Sequence, residues 1–304
     1  MFNNSHLSIV FKYVVSNYLD EIDIKTILYV TKIEDFDIAN LLGIDLRHDN
    51  DYALSISSKD GNLSVVKYLA EKGADIHAEE DKPLRYAIRY GHLLVVKYLV
   101  EKGANIHVNE GVAIELASQK GHLSIVEYLV EKGADIHTKN DWSLRRASMN
   151  GNLPIVKYLF SKGADIHAKD GQALQWASEG GHLPVVQYLV ENGADIHTDN
   201  DYALKYASYN GHLSVVKYLV ERGADIHICN EYALINASMN GRLSIVEYLV
   251  EKGAAIHAQG DFALRLASSN EHRQVVKYLI ERGANIAEDN HYALEIAKEC
   301  RLKK

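Results

Sequence analysis

The stretch GHLSVVKYLVERGADIH, residues 211–227, recurs along the chain in a fixed register. Its closing histidine, His227, has counterparts at His77, His107, His137, His167, His197 and His257, spaced in steps of 30 residues. From Asp51 to Asn290 the chain divides into eight units of 30 residues, followed by the partial unit HYALEIAKECRLKK. Self-similarity at such a period marks a stack of supersecondary units, each too small to bury its own apolar face. Val66, Tyr68, Leu69, Gly73, Ala74 and Ile76 keep their identity in all eight units. These are apolar and small positions of the kind that a repeated packing contact demands.

Each unit reads as two short helices. The first, exemplified by ALKYASYN (203–210), follows the Asn-Asp pair 200–201, a capping signal. The second, LSVVKYLVERG (213–223), ends on Gly223 as a C-terminal glycine. Pro83, Pro154 and Pro184 all fall in first turns, where a missing N–H costs nothing. Both helices are shorter than the roughly 12–15 residues an isolated helix needs, so neighbours must supply the core.

On these residues the chain resembles the ankyrin repeat, whose pattern runs T-P-L-H-x-A-A and then G-H-L-x-V-V-x-x-L-L-x-x-G-A-D. The match covers residues 51–297, and the uniformity of the units is similar to that of ankyrin arrays in giant DNA viruses. The resemblance implies an all-α solenoid of stacked helix-turn-helix units. Two departures stand out. The period is 30 rather than the family's 33 or so, so the projecting hairpin is expected to be shortened or reduced to a turn. The T-P-L-H motif survives only as KPLR (82–85), and the Asp or Asn just upstream is expected to take over capping.

The organisation expected is an N-terminal cap with a degenerate repeat over 1–50, eight repeats over 51–290, and a C-terminal capping helix over 291–304. GIDLRHDN (43–50) is in register with GADIHAEE (73–80). YLDEIDIKTILYVTK (18–32) also resembles the middle of an F-box, without its opening Leu-Pro or the tryptophan that often follows its lysine. That resemblance implies an alternative role, as the substrate adaptor of a ubiquitin ligase.

Composition narrows the function. The chain has 304 residues, 47 % hydrophobic and 24 % charged, with a net charge of −8. That balance argues for a folded protein without general affinity for nucleic acid or anionic membranes. Two cysteines, no signal-peptide pattern and no run of about 20 apolar residues point to an intracellular protein in cytoplasm or nucleus, including that of an infected host cell.

The histidine rows do not read as metal ligands. Equivalent helices in a stack lie about 8–10 Å apart, whereas zinc needs nitrogens about 2.0–2.1 Å from one centre. The second row, His92, His122, His182, His212 and His272, lies at the far end of the second helix, about 15 Å away. The family's asparagine at the His227 position bonds the connecting loop's backbone, and histidine is expected to do the same. The resemblance also implies that this position is open to hydroxylation by a 2-oxoglutarate-dependent oxygenase. No nucleophile and base stand apart from the repeat, so no enzyme, cofactor or metal site is expected.

Function is sought where the repeat is free to vary, at positions two, five, six, nine and ten of each unit. The resemblance places the first helix and its preceding loop along a concave groove. Arg85, Arg89, Trp142, Arg145, Arg146, Met149, Trp176, Lys205, Tyr206 and Tyr209 are the partner-binding candidates, being large aromatic, sulfur-containing or basic residues of the kind found at binding hot spots. Tyr202, Tyr232 and Tyr292 repeat in kind and read as packing at the helix entry. At positions five, six and nine, seven basic residues face Glu115 and Glu179. A basic, aromatic groove on an acidic body suits an acidic or phosphorylated segment of a protein partner, bound to a monomeric scaffold.

Overall fold

The structure, a computed structural model, describes residues 47–302; the segment 18–32 and its F-box resemblance lie outside the described residues. Two compact units divide at Asp135 and Ile136. The described part of the first holds α1 Arg47–Asp60, α2 Leu63–Glu71, α3 Ala78–Tyr90, α4 Leu93–Glu101, α5 Val108–Lys120 and α6 Leu123–Glu131. The second holds α7 Thr138–Met149, α8 Leu153–Ser161, α9 Ala168–Glu179, α10 Leu183–Glu191, α11 Thr198–Asn210 and α12 Leu213–Glu221. It continues through α13 Ile228–Met239, α14 Leu243–Glu251, α15 Ala258–Ser269, α16 Arg273–Glu281 and α17 His291–Leu302. There is no strand among the described residues, so the expected shortening of the hairpin goes all the way to a turn.

Within each unit odd-numbered helices pack on odd, and each pairs with the helix after it. The positions kept apolar or small in every unit make the core: Leu144 and Ala147 of α7, with Ile155, Val156 and Leu159 of α8, are buried, and the set repeats downstream. The even-numbered helices close as the glycine pattern requires. At the end of α12, Gly223 takes φ 101° and donates to Val220 O at 3.1 Å, while Ala224 donates to Leu219 O at 2.9 Å. Those are the paired bonds of a Schellman ending. Pro154 and Pro184 sit in the first turns of α8 and α10.

The helix entries differ from the expected caps. Lys139–Asp141, Asp199–Asp201 and Gln259–Asp261 each run as three successive left-handed residues, as do Glu79–Asp81, Lys169–Gly171 and Cys229–Glu231. A left-handed residue with a Cβ costs about 1–2 kcal/mol, least for Asn, Asp and Gly. That preference explains why these residues crowd the turn. The aspartate at its end caps nothing. Side-chain caps occur instead at Asn62, which accepts from Val65 N, and at Asn290, which accepts from Ala293 N.

The aspartate is a buried clamp. Asp141 Oδ1 accepts the His137 Nδ1 proton at 2.9 Å and the Asp165 amide, one repeat on, at 3.2 Å. Asp81 does the same with His77 and Asn105, and Asp261 with His257 and Asn285. His77, His137, His197, His227 and His257 are therefore structural, but their partner is a carboxylate and not the loop backbone expected from sequence; His107 and His167 have Gly111 and Gly171 at the carboxylate position. The second row staples neighbours: His92, His182, His212 and His272 donate from Nε2 to Lys59, Met149, Glu179 and Met239 O at 2.8–2.9 Å. Arg242 replaces histidine in one repeat and donates from Nε to Tyr209 O.

One small bond is missing from an otherwise regular series. Asp75, Asn105, Asp165, Asp195 and Asp225 each accept the amide proton of the histidine two residues on, at 2.8–2.9 Å. Ala255 takes this place before His257. Ala255→Asp should restore the bond and raise the unfolding free energy by about 0.5–1 kcal/mol, the net worth of an exposed hydrogen bond. Urea melts of the two proteins check it; an unchanged or lower midpoint contradicts it.

Candidate functional site

The variable positions of the second unit lie on the odd-numbered helices. Trp142 (α7) and Trp176 (α9) meet edge to face, with centroids 5.5 Å apart. Tyr202 stacks on Tyr206 at 4.0 Å, and Tyr206 lies 6.3 Å from Tyr209. Arg146 lies 4.6 Å from the centre of Trp142 and bonds Met149 Sδ at 3.2 Å. These rings are half-buried, while Met149, Tyr209 and Tyr232 are exposed at 44 %, 38 % and 43 %. Rings locked against each other lose little freedom on binding, so such a surface is preorganised.

Three of the basic candidates are already engaged. Arg145 is buried, at 4 % exposure. It donates to Asn140 O at 3.0 Å, to Lys139 O at 2.6 Å and to Gln172 Oε1, with its guanidinium 4.7 Å from Trp142 and 5.7 Å from Trp176. A partner does not reach it, so its expected role as a direct contact gives way to support of the two tryptophans. Arg85 donates to Glu79 O at 2.8 Å and Lys205 to Asp199 O at 3.2 Å. Position five therefore braces the left-handed turn by donating to its carbonyls, and Gln175 does the same for Asp170 O. Sequence spacing alone gives no sign of this, because the brace answers a backbone conformation that the residue types only hint at.

Arg89 is exposed in the first unit, where Tyr86 and Tyr90 meet edge to face and Lys59 lies 5.6 Å from the Tyr90 ring. Two residues read as packing from sequence belong to the aromatic face. Tyr202 is stacked on Tyr206 and donates to Glu179 Oε2 at 3.2 Å; burial, then the Glu179 charge, pushes its hydroxyl well above the usual tyrosine range. Tyr232 stands exposed, with Lys205 5.8 Å from its ring. Their recurrence at position two concealed that one position serves packing in one repeat and surface in another.

His227 is the clamp histidine whose partner is a glutamate. Its bond to Glu231, 2.6 Å long, raises its pKa against the opposing effect of burial. Among the described residues no group of three or more histidine, cysteine or carboxylate side chains is assembled to hold a metal ion. Nor is any helix long and apolar enough to cross a membrane.

Comparison with known proteins agrees with this geometry. A family model of ankyrin repeats matches three times, at residues 27–110, 144–230 and 225–290, and a model of the single ankyrin repeat matches 113–141. A putative ankyrin repeat protein, R848, of Acanthamoeba polyphaga mimivirus is 54 % identical over 33 residues, a segment covering 11 % of this chain and 13 % of that protein. With helix pairs stacked within each unit and family matches over most of its length, the chain belongs to the ankyrin repeat family.

Proposed function

We propose that the aromatic face of the second unit docks an extended, acidic segment of a protein partner, in an intracellular, non-catalytic and monomeric scaffold. Ankyrin repeats indicate a protein-interaction role in general. The observation that carries the finer reading is the Trp142–Trp176 pair together with the Tyr202–Tyr206–Tyr209 cluster, large rings held within each group at positions where the repeat is otherwise free. Arg146 lies over the Trp142 ring, and Lys205 and Arg265 continue the positive charge.

Selection of a random peptide library on the full chain tests this reading. Selected peptides should be net acidic, and Arg146→Glu combined with Tyr209→Ala should weaken them at least about 100-fold, given roughly 2 kcal/mol for each hot-spot residue. Neutral or basic peptides, or equal binding to the double variant, contradict it. Arg146 is the residue to reverse, because Arg145→Glu would bury a charge beside the carbonyls of Lys139 and Asn140.

A further inference from the structure

The last odd-numbered helix breaks the pattern. Ala287 stands where the clamp histidine would be, and His291 where its aspartate would be. The turn at 287–290 also lacks the left-handed residues found at 79–81, 139–141, 169–171, 199–201, 229–231 and 259–261. Asn290 caps α17, and its amide donates to Ser268 Oγ at 3.1 Å. α17 packs on α16 and only lightly on α15, whereas the earlier odd-numbered helices of this unit pack closely on one another. The gap is a cavity of about 340 Å3 lined by Arg265, Ser269, Asp289, Asn290, His291 and Tyr292.

The lining carries one fixed cation and one carboxylate. Arg265 is exposed, its guanidinium 5.6 Å from the Phe262 ring, and it makes no ion pair among the described residues. Its planar donors suit a carboxylate or phosphate. Asp289, on the same lining, opposes a doubly charged phosphate but accepts N–H protons. A ligand offering one carboxylate beside N–H donors satisfies both groups, and an acidic residue within a peptide is such a ligand.

We propose that this cavity takes the carboxylate of an aspartate or glutamate in the docked segment, with Arg265 binding the acid and Asp289 accepting a backbone N–H of the same segment. The assignment rests on the docking role of the odd-numbered helices and fixes where the acidic residue goes.

The probes are N-acetylglutamate amide, N-acetylglutamine amide and inorganic phosphate, titrated into the 15N-labelled full chain at pH 7. The glutamate probe should give saturable shifts confined to Arg265, Ser268, Ser269 and Asp289–Tyr292. The glutamine probe should bind at least ten-fold more weakly. Arg265→Ala, a change at an exposed side chain, should abolish the response and leave the rest of the spectrum intact. No response, an equal response to glutamine, a response that survives Arg265→Ala, or tighter binding of phosphate each overturns the proposal. Such a failure leaves the docking face standing if the library peptides still depend on Arg146 and Tyr209. Loss of that dependence with the glutamate response intact would sink the docking face alone.

Discussion

Asp261→Ala should lower the unfolding free energy by about 3 kcal/mol at pH 7, measured by urea denaturation. The Asp261 carboxylate is buried and accepts three bonds, from His257 Nδ1 at 2.9 Å, Asn285 N at 3.0 Å and Asn285 Nδ2 at 3.1 Å. Removing it leaves the Asn285 amide without its acceptor, a loss of about 1–3 kcal/mol, and deletes charge-assisted bonds of about 1.5–3 kcal/mol each before relaxation. The pH dependence carries a sign. Burial by itself raises the Asp261 pKa, but the bonds from Asn285 and His257 outweigh it, and the net pKa lies below the ordinary aspartate value of 3.8. A carboxylate with a depressed folded-state pKa contributes stability that is fully present above its unfolded pKa, and that is lost as pH falls through the folded one. The gap between wild type and Asp261→Ala should therefore hold from pH 7 to about pH 5 and shrink below about pH 4. A gap that fails to shrink below about pH 4 contradicts the clamp.

The clamp also shows what the sequence makes legible and what it does not. Helix pairing, their 30-residue spacing and the Schellman glycine can all be read from repeated identity, because they depend on which positions are apolar, small or able to take positive φ. The histidine's partner cannot be read in the same way. His137 and Asp141 are four residues apart, a spacing that on a right-handed helix would also bring them together, but here a left-handed turn does so. The aspartate's second bond, to an amide 24 residues on, belongs to the stacking of repeats and has no local signature. The site divides along the same line. Trp142, Trp176, Tyr206 and Tyr209 stand out because they are large residues at variable positions, and the structure brings the tryptophans together and the tyrosines together. Arg145 stands out for the same reason, yet it is buried, because its side chain meets a demand of the backbone at Lys139 and Asn140.

Gly181→Ala should cost about 2–3 kcal/mol, and the cost should depend on a residue thirty-one positions away. Gly181 takes φ 74° at the turn before α10, so any Cβ there is strained by about 1–2 kcal/mol. That Cβ would also lie 2.6 Å from Cγ of His212, inside any tolerable contact. The ring can escape only by turning away, which breaks its bond to Glu179 O at 2.9 Å, worth about 1 kcal/mol. His212→Ala alone should cost about 1 kcal/mol for that bond, together with whatever packing the ring supplies. In the double variant the clash has no second party, so the combined loss should fall short of the sum of the singles by about 1 kcal/mol. Strict additivity in urea melts would mean that the glycine is kept for its backbone alone. Sub-additivity would mean that the histidine of one repeat and the glycine of the one before it form a single device, which explains why Gly61, Gly91, Gly151, Gly181 and Gly241 each lie against the ring of a histidine in the following repeat.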